Sequence, residues 1–131
     1  METDKKKILV VDDEANIRTL VSSLLGNEYK ILVASNGEEA ITIAQQQQPD
    51  LILMDIMMPK VDGNTACSTI KRNQATSHIP IIMLTGVGFD LNRKLALMMG
   101  ADSYLTKPFS LNELLLHVRQ FLNEVPAGQT H

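Results

Sequence analysis

The sequence is poor in the features that mark secreted, membrane-bound and nucleic-acid-binding proteins. It has a single cysteine, Cys67, which excludes an intrachain disulfide and fits a reducing compartment. No apolar run approaches the roughly 20 residues that a membrane span requires. The charged start, residues 1–7, is followed only by the apolar run Ile8-Leu9-Val10-Val11, too short for the core of a signal peptide. Positive charge is not in excess: the formal net charge is −3, and the basic residues are scattered apart from Lys5-Lys6-Lys7. A nucleic-acid surface would need strong local clustering. The expectation is a cytoplasmic protein with no membrane segment and no direct contact with nucleic acid.

What is present is an ordinary globular composition, 44% hydrophobic and 21% charged over 131 residues. That length suits one domain, which can bury roughly two-thirds of its unfolded surface. Two hydrophobic periods alternate along the chain. Ile8-Leu9-Val10-Val11, Ile31-Leu32-Val33, Leu51-Ile52-Leu53-Met54, Pro80-Ile81-Ile82-Met83-Leu84 and the weaker Ser103-Tyr104-Leu105 read as strands. Between them run helical stripes. Ile17, Leu20, Val21, Leu24 and Leu25 form one, ended by Gly26-Asn27, and Ala40, Ile41 and Ala44 another, ended by Pro49-Asp50. Its start is capped by Ser35 with Glu38 or by Asn36 with Glu39. Ala66, Cys67 and Ile70 share a face of a third helix. Leu91, Leu95 and Met98 mark a fourth, stopped by Gly100, and Leu111, Leu114, Leu115, Val118 and Leu122 a fifth, after a Ser110/Glu113 capping signal. Five βα units in series predict a parallel α/β sheet, doubly wound with helices on both faces. Residues 1–6 are expected to be a tail, 7–123 the domain, and 124–131 a tail or linker stub. Gln45 to Gln48 read as a solvated helix end without special role.

The polar residues gather at strand ends. Asp12, Asp13 and Glu14 follow the first strand, Asp55 the third and Thr85 the fourth, with Lys107 shortly after the fifth. Open parallel sheets bind ligands at the carboxyl ends of their strands, where strand order reverses. If the order is 2-1-3-4-5, then Asp12, Asp13 and Asp55 converge in one crevice flanked by Thr85 and Lys107. Two like charges about 4 Å apart cost about 4 kcal/mol at an effective dielectric of about 20, so a cation should offset them. Oxygen ligands alone favour Mg²⁺ or a similar hard ion, which suits phosphoryl oxygens. A carboxylate can also be the nucleophile that accepts a phosphoryl group. Asp55, alone at its strand end, is the candidate. Taken singly, these residues have ordinary readings: Asp13 as the N-cap of a helix begun at Glu14, Asp62-Gly63 as a turn, Thr85 as a strand end, and Lys107-Pro108 as a turn.

In combination, Val10-Val11-Asp12-Asp13-Glu14, Asp55-Ile56-Met57-Met58-Pro59 with Asp62-Gly63, Thr85-Gly86 and Lys107-Pro108-Phe109 resemble the receiver domain of two-component response regulators. The resemblance covers residues 7–122 and implies a flavodoxin-like (βα)₅ fold with strand order 2-1-3-4-5. It implies that Asp55 takes a phosphoryl group from a histidine on a partner kinase or phosphotransfer protein. By the same carry-over, Mg²⁺ (or Mn²⁺) is bound by Asp13, Asp55 and the backbone carbonyl of Met57, with Asp12 acting through water. Thr85, Gly86 and Lys107 would meet the phosphoryl group, Tyr104 matches an aromatic switch position, and Lys107-Pro108 would carry a cis peptide. The switched surface would be the helix over residues 90–99, the fifth strand and the last helix, binding a downstream protein or forming a weak homodimer on phosphorylation. Met57 and Val87, apolar where they flank Asp55 and Thr85, are expected to obstruct or fail to orient a hydrolytic water, which gives a slowly decaying phosphorylated state.

Other functions fit less well. An aspartyl phosphatase of the haloacid-dehalogenase kind would need a second Asp two residues after the first, where this chain has Met57. A flavin carrier would need a Ser/Thr/Gly-rich phosphate loop in place of Asp12-Asp13-Glu14. A degenerate scaffold receiver is opposed by the intact site residues. The expected protein is a phospho-acceptor switch, with self-phosphorylation and slow autodephosphorylation, and not a turnover enzyme.

Overall fold

The computed structural model describes residues 5–58, 60–86, 94 and 97–122. Five strands, β1 (Lys7–Val11), β2 (Lys30–Ala34), β3 (Leu51–Asp55), β4 (Ile81–Thr85) and β5 (Ser103–Thr106), form one sheet in the order β2-β1-β3-β4-β5. Every neighbouring pair is parallel. Among the described residues four helices accompany them: α1 (Ala15–Leu25), α2 (Gly37–Gln47), α3 (Gly63–Arg72) and α4 (Leu111–Phe121). The expected helix around Leu91 and Leu95 falls largely outside the described residues. Lys94, Leu97 and Met98 are helical, and Gly100 follows with φ +101°, a conformation that a side chain would strain. The two tails fall mostly outside the described residues as well.

Alternation along each strand divides the core into two halves. Leu9, Val11, Ile52, Met54, Ile81 and Met83 face Ala40 and Ala44 of α2 and Ala66, Cys67 and Ile70 of α3. Ile8, Val10, Leu51, Leu53, Ile82, Leu84 and Leu105 face Val21 and Leu25 of α1 and Leu114 and Val118 of α4. Every residue of β3 and β4 is buried, which is why those segments read as unbroken apolar runs. Small residues on α2 and α3 let those helices lie close to the sheet and to each other.

Several local expectations are corrected. Asp13 does not cap α1: the N-cap position is Glu14, with no side-chain cap bond. At α2 the second of the two capping alternatives forms. Asn36 accepts from the Glu39 N–H at 2.9 Å, while the Glu39 carboxylate accepts from the Ser35 N–H at 2.7 Å and from its hydroxyl. Gln48 is more than a solvated residue, because it closes α2 in the left-handed region at φ 48°. Its side-chain amide donates to the carbonyls of Ala44 and Gln45, bonds that offset part of the strain of a non-glycine residue there. Asp62 is an N-cap for α3, accepting from the Thr65 N–H at 2.8 Å, and not simply a turn residue.

Candidate functional site

The register puts the carboxyl ends of the five strands level. Asp12 N–H donates to Ala34 O at 3.1 Å, Ile56 N–H to Leu84 O at 3.2 Å, and Lys107 N–H to Thr85 O at 2.7 Å. Asp55 and Thr85 are themselves the last residues of β3 and β4, one step earlier than the sequence suggested, while Asp12 and Lys107 each follow the last residue of a strand directly. Strand parity sends Asp12 and Asp55 toward the α1/α4 side, in line with Val10 and Leu53. Thr85 follows the opposite parity and shares its side with Met83 and with Met83's register partner Tyr104.

The three carboxylates meet: an oxygen of each of Asp12, Asp13 and Asp55 lies within 4.8 Å of the others. Asp12 and Asp55 are buried, whereas Asp13 is exposed. The Lys107 ammonium closes the arrangement, 3.0 Å from Asp12 Oδ2 and 3.4 Å from Asp55 Oδ2. Asp12 is held by its backbone and by both carboxylate oxygens: Oδ1 accepts from the Glu14 N–H at 3.0 Å, and its carbonyl accepts from Arg18 Nη1 at 2.7 Å. Asp55 Oδ1 accepts from the Met57 N–H at 3.2 Å. Burial pushes the Asp55 carboxyl above the usual carboxylate value. Lys107 opposes that shift, Asp12 adds to it, and the Met57 N–H opposes it. For Lys107, burial acts downward, but the hydrogen bond to Asp12 and the charges of Asp55 and Asp12 outweigh it and leave the ammonium raised. A lysine between two buried carboxylates is a partial neutraliser of a site that still carries net negative charge.

The remaining expected residues fall around this centre. The Thr85 hydroxyl is buried and has no hydrogen-bond partner. An unsatisfied buried hydroxyl costs about 1–3 kcal/mol, so a ligand oxygen at this place would relieve it. Gly86 follows Thr85 at the rim, and Tyr104 is half-buried, packed on the α2/α3 side of the core. The Lys107–Pro108 peptide is cis. Met57 is 70% exposed beside Asp55, and Val87 lies outside the described residues.

Two contributors were not singled out from the sequence. Arg18 was hidden because a mid-helix arginine carries no signal by itself. In the sequence Gly63 signals only half of a turn. A Cβ built there would lie 2.2 Å from Asp55 O and 2.8 Å from Ile56 Cα, and its N–H donates to Ile56 O at 2.9 Å. The backbone of α3 therefore rests directly on the backbone of the central carboxylate.

The donor set would suit a hard divalent cation: the three clustered side chains offer only carboxylate oxygens, two of them on buried residues, with an orphaned hydroxyl close to the same strand ends. No described helix is long and apolar enough to cross a membrane.

Residues 8–119 match the family model described as the response regulator receiver domain. The "Probable transcriptional regulator ycf27" of Cyanophora paradoxa is 46% identical over 125 residues, which are 93% of this chain and 50% of that protein. The transcriptional regulatory protein ResD of Bacillus subtilis is 46% identical over 130 residues, 98% of this chain and 52% of ResD. The chain thus spans about half the length of these curated relatives. Among solved structures, the receiver domain of the sensor histidine kinase PA1611 from Pseudomonas aeruginosa has a TM-score of 0.85 at 30% identity. The match covers 92% of this chain and 99% of that one, and a magnesium ion is coordinated in the active-site cleft of that structure.

Proposed function

The chain belongs to the response regulator receiver domain family of two-component signalling, and from that premise we propose that Asp55 is its phosphoryl acceptor. The observation that carries the proposal is the convergence of buried Asp55 with Asp12, Asp13 and Lys107 at the β1/β3 strand ends. The donor is a phosphohistidine on a kinase or phosphotransfer protein. An Asp55 carboxylate oxygen attacks phosphorus, an acyl-phosphate P–O bond forms, and the P–N bond breaks with its electron pair going to imidazole, which takes up a proton. The same chemistry accepts a phosphoryl group from a small acyl phosphate, so the domain phosphorylates itself.

Asp13, Asp55 and the Met57 carbonyl are the proposed ligands of Mg²⁺ or Mn²⁺, with Asp12 acting through water. Such an ion, when bound, neutralises charge on phosphoryl oxygens. Lys107 contributes a second positive charge on the other flank, where it already holds Asp12 and Asp55. Thr85 and Gly86 complete the pocket. The orphaned Thr85 hydroxyl moves to donate to a phosphoryl oxygen, and Tyr104, on the same side of the sheet, turns into the space that this movement leaves.

The response is a change of partner-binding surface and not turnover. That surface is proposed to include residues 90–99, β5 and α4, and Leu97, Met98 and Leu116 on it are exposed to the extent of 49%, 78% and 66%. A downstream protein, or weakly a second copy, would cover it in a cytoplasmic setting. Transcriptional regulation, in the names of relatives about twice as long, is not carried over to this chain. Met57 and Val87 are proposed to slow hydrolysis of the acyl phosphate, because neither can orient a water.

Incubation with acetyl phosphate and Mg²⁺, followed by intact-mass spectrometry, should add one phosphoryl group to the wild type and none to Asp55→Asn. An adduct of equal level in the variant would overturn the assignment.

A further inference from the structure

The guanidinium of Arg18 is half-buried at the second turn of α1, and it donates through Nη1 to the backbone carbonyl of Asp12 at 2.7 Å. That carbonyl belongs to the Asp12–Asp13 peptide. We propose that Arg18 is a positioning residue which, by holding this peptide plane, aims the Asp13 carboxylate at Asp55 and so sets the affinity of the acidic site for a divalent cation.

The two neighbouring aspartates are supported very differently. Asp12 is restrained at four points: its N–H on Ala34 O, its carbonyl under Arg18, and its two carboxylate oxygens under the Glu14 N–H and the Lys107 ammonium. Asp13 is exposed, yet its carboxylate still reaches within 4.8 Å of the other two. The residue that must present a ligand is therefore held mainly through its backbone, and the peptide on its N-terminal side determines where its Cα stands. β1 ends at Val11 and α1 begins at Ala15, so this peptide lies in the short link between them, with no backbone donor to its carbonyl among the described residues. Arg18 supplies the missing restraint from inside the helix.

Arg18 is itself braced. Its backbone carbonyl accepts from the Ser22 hydroxyl at 2.7 Å, a bond one turn further along α1. Guanidinium geometry suits this task, because a planar fork loses little freedom when it donates to one fixed carbonyl. Outer partners that orient metal ligands commonly change affinity by about 10–100-fold when they are removed.

The inference rests on the reading of the acidic cluster as a divalent-cation site, and its test separates the two. Mg²⁺ is titrated calorimetrically into the metal-free wild type, Arg18→Met, which keeps the aliphatic stem without a donor, and Arg18→Lys, which keeps one donor. Arg18→Met should bind about tenfold more weakly, with Arg18→Lys recovering part of the loss. In the metal-free state, the amide resonance of Asp13, whose nitrogen shares the held peptide, should shift in Arg18→Met. A wild type that takes up no Mg²⁺ would overturn the site reading and the inference with it. A wild type that binds, with Arg18→Met equal to it within about twofold, would overturn the role of Arg18 alone, whatever happens to thermal stability.

Discussion

The cost of the site is concentrated in single side chains. Asp55 is nearly buried and carries a charge that its surroundings disfavour, since burial and Asp12 raise its carboxyl above 3.8 and Lys107 only partly compensates. A group whose folded value is raised binds its proton more tightly in the native state. Its stabilisation is fully present below the unfolded value and is lost as pH rises through the folded one. At neutral pH the ionised Asp55 therefore works against folding. In metal-free buffer Asp55→Asn should melt at a higher temperature than the wild type at pH 7, with the difference shrinking as pH falls toward 4. A pH-independent difference would show that the gain comes from something other than the charge. Lys107 acts in the opposite sense. Lys107→Met leaves Asp12 and Asp55 facing each other without a counter-charge, and should lower stability in urea by about 1–3 kcal/mol at pH 7, less than a fully buried pair would lose because the ammonium is partly solvated. Added Mg²⁺ should stabilise this variant more than it stabilises the wild type. Equal stabilisation of both would mean that the lysine and the cation do not share the same carboxylates.

At the scale of elements, the decisive contact is backbone on backbone. α3 starts at Gly63, where a Cβ would stand 2.2 Å from Asp55 O and 2.9 Å from Met83 Cε. Backbone atoms cannot yield as a flexible side chain can, so Gly63→Ala must push α3 away from the end of β3. The expected loss is about 3 kcal/mol, at the upper end of ordinary overpacking, read from chemical denaturation. Because the displaced strand end carries Asp55, Mg²⁺ affinity should fall as well. Unchanged stability would mean that α3 can slide without disturbing the strand. This contact also shows why part of the design was legible in the sequence and part was not. Buried strands announce themselves as apolar runs, and the α4 capping box at Ser110 and Glu113 follows from local spacing alone. Strand-end aspartates are visible because polar residues interrupt those runs. The choice between Ser35 and Asn36 as cap, the left-handed Gln48 and the approach of Gly63 to Asp55 depend on the path of the whole chain. Arg18 is likewise invisible until α1 is turned so that its guanidinium meets the Asp12 carbonyl. Sequence patterns report which face an element buries, and these contacts depend on where elements end relative to one another.

Across the whole molecule the two ends of the sheet are built differently. At the amino ends of the strands, acidic side chains are fastened by backbone N–H groups and by a lysine. The Lys7 N–H donates to Asp50 Oδ2 at 2.8 Å, and Lys71 lies 2.8 Å from Asp102, whose Oδ2 also accepts from the Ile81 N–H. At the carboxyl ends, one lysine is paired with two of three clustered carboxylates, and a buried threonine hydroxyl has no partner. One end is a fastened base and the other holds polar groups without protein partners. Cys67 offers a probe of that arrangement. It is fully buried on α3, between the site and the base, and its thiol points to the Met99 carbonyl at 3.8 Å. Burial pushes its pKa up to about 11, with Lys71 acting slightly downward and Asp102 upward. At pH 8 roughly one thiol in a thousand would then be ionised in the folded state, and that fraction is sterically shielded, so alkylation must wait for opening. Iodoacetamide should label the native protein at least about a hundredfold more slowly than the urea-unfolded chain at the same pH. If labelling requires α3 to leave the sheet, Gly63→Ala should raise the rate in step with its loss of stability, whereas Lys107→Met should raise it only through global unfolding. A native rate that ignores both substitutions would place the opening in a local movement around Met99 and would deny that α3 and the strand ends move as one unit.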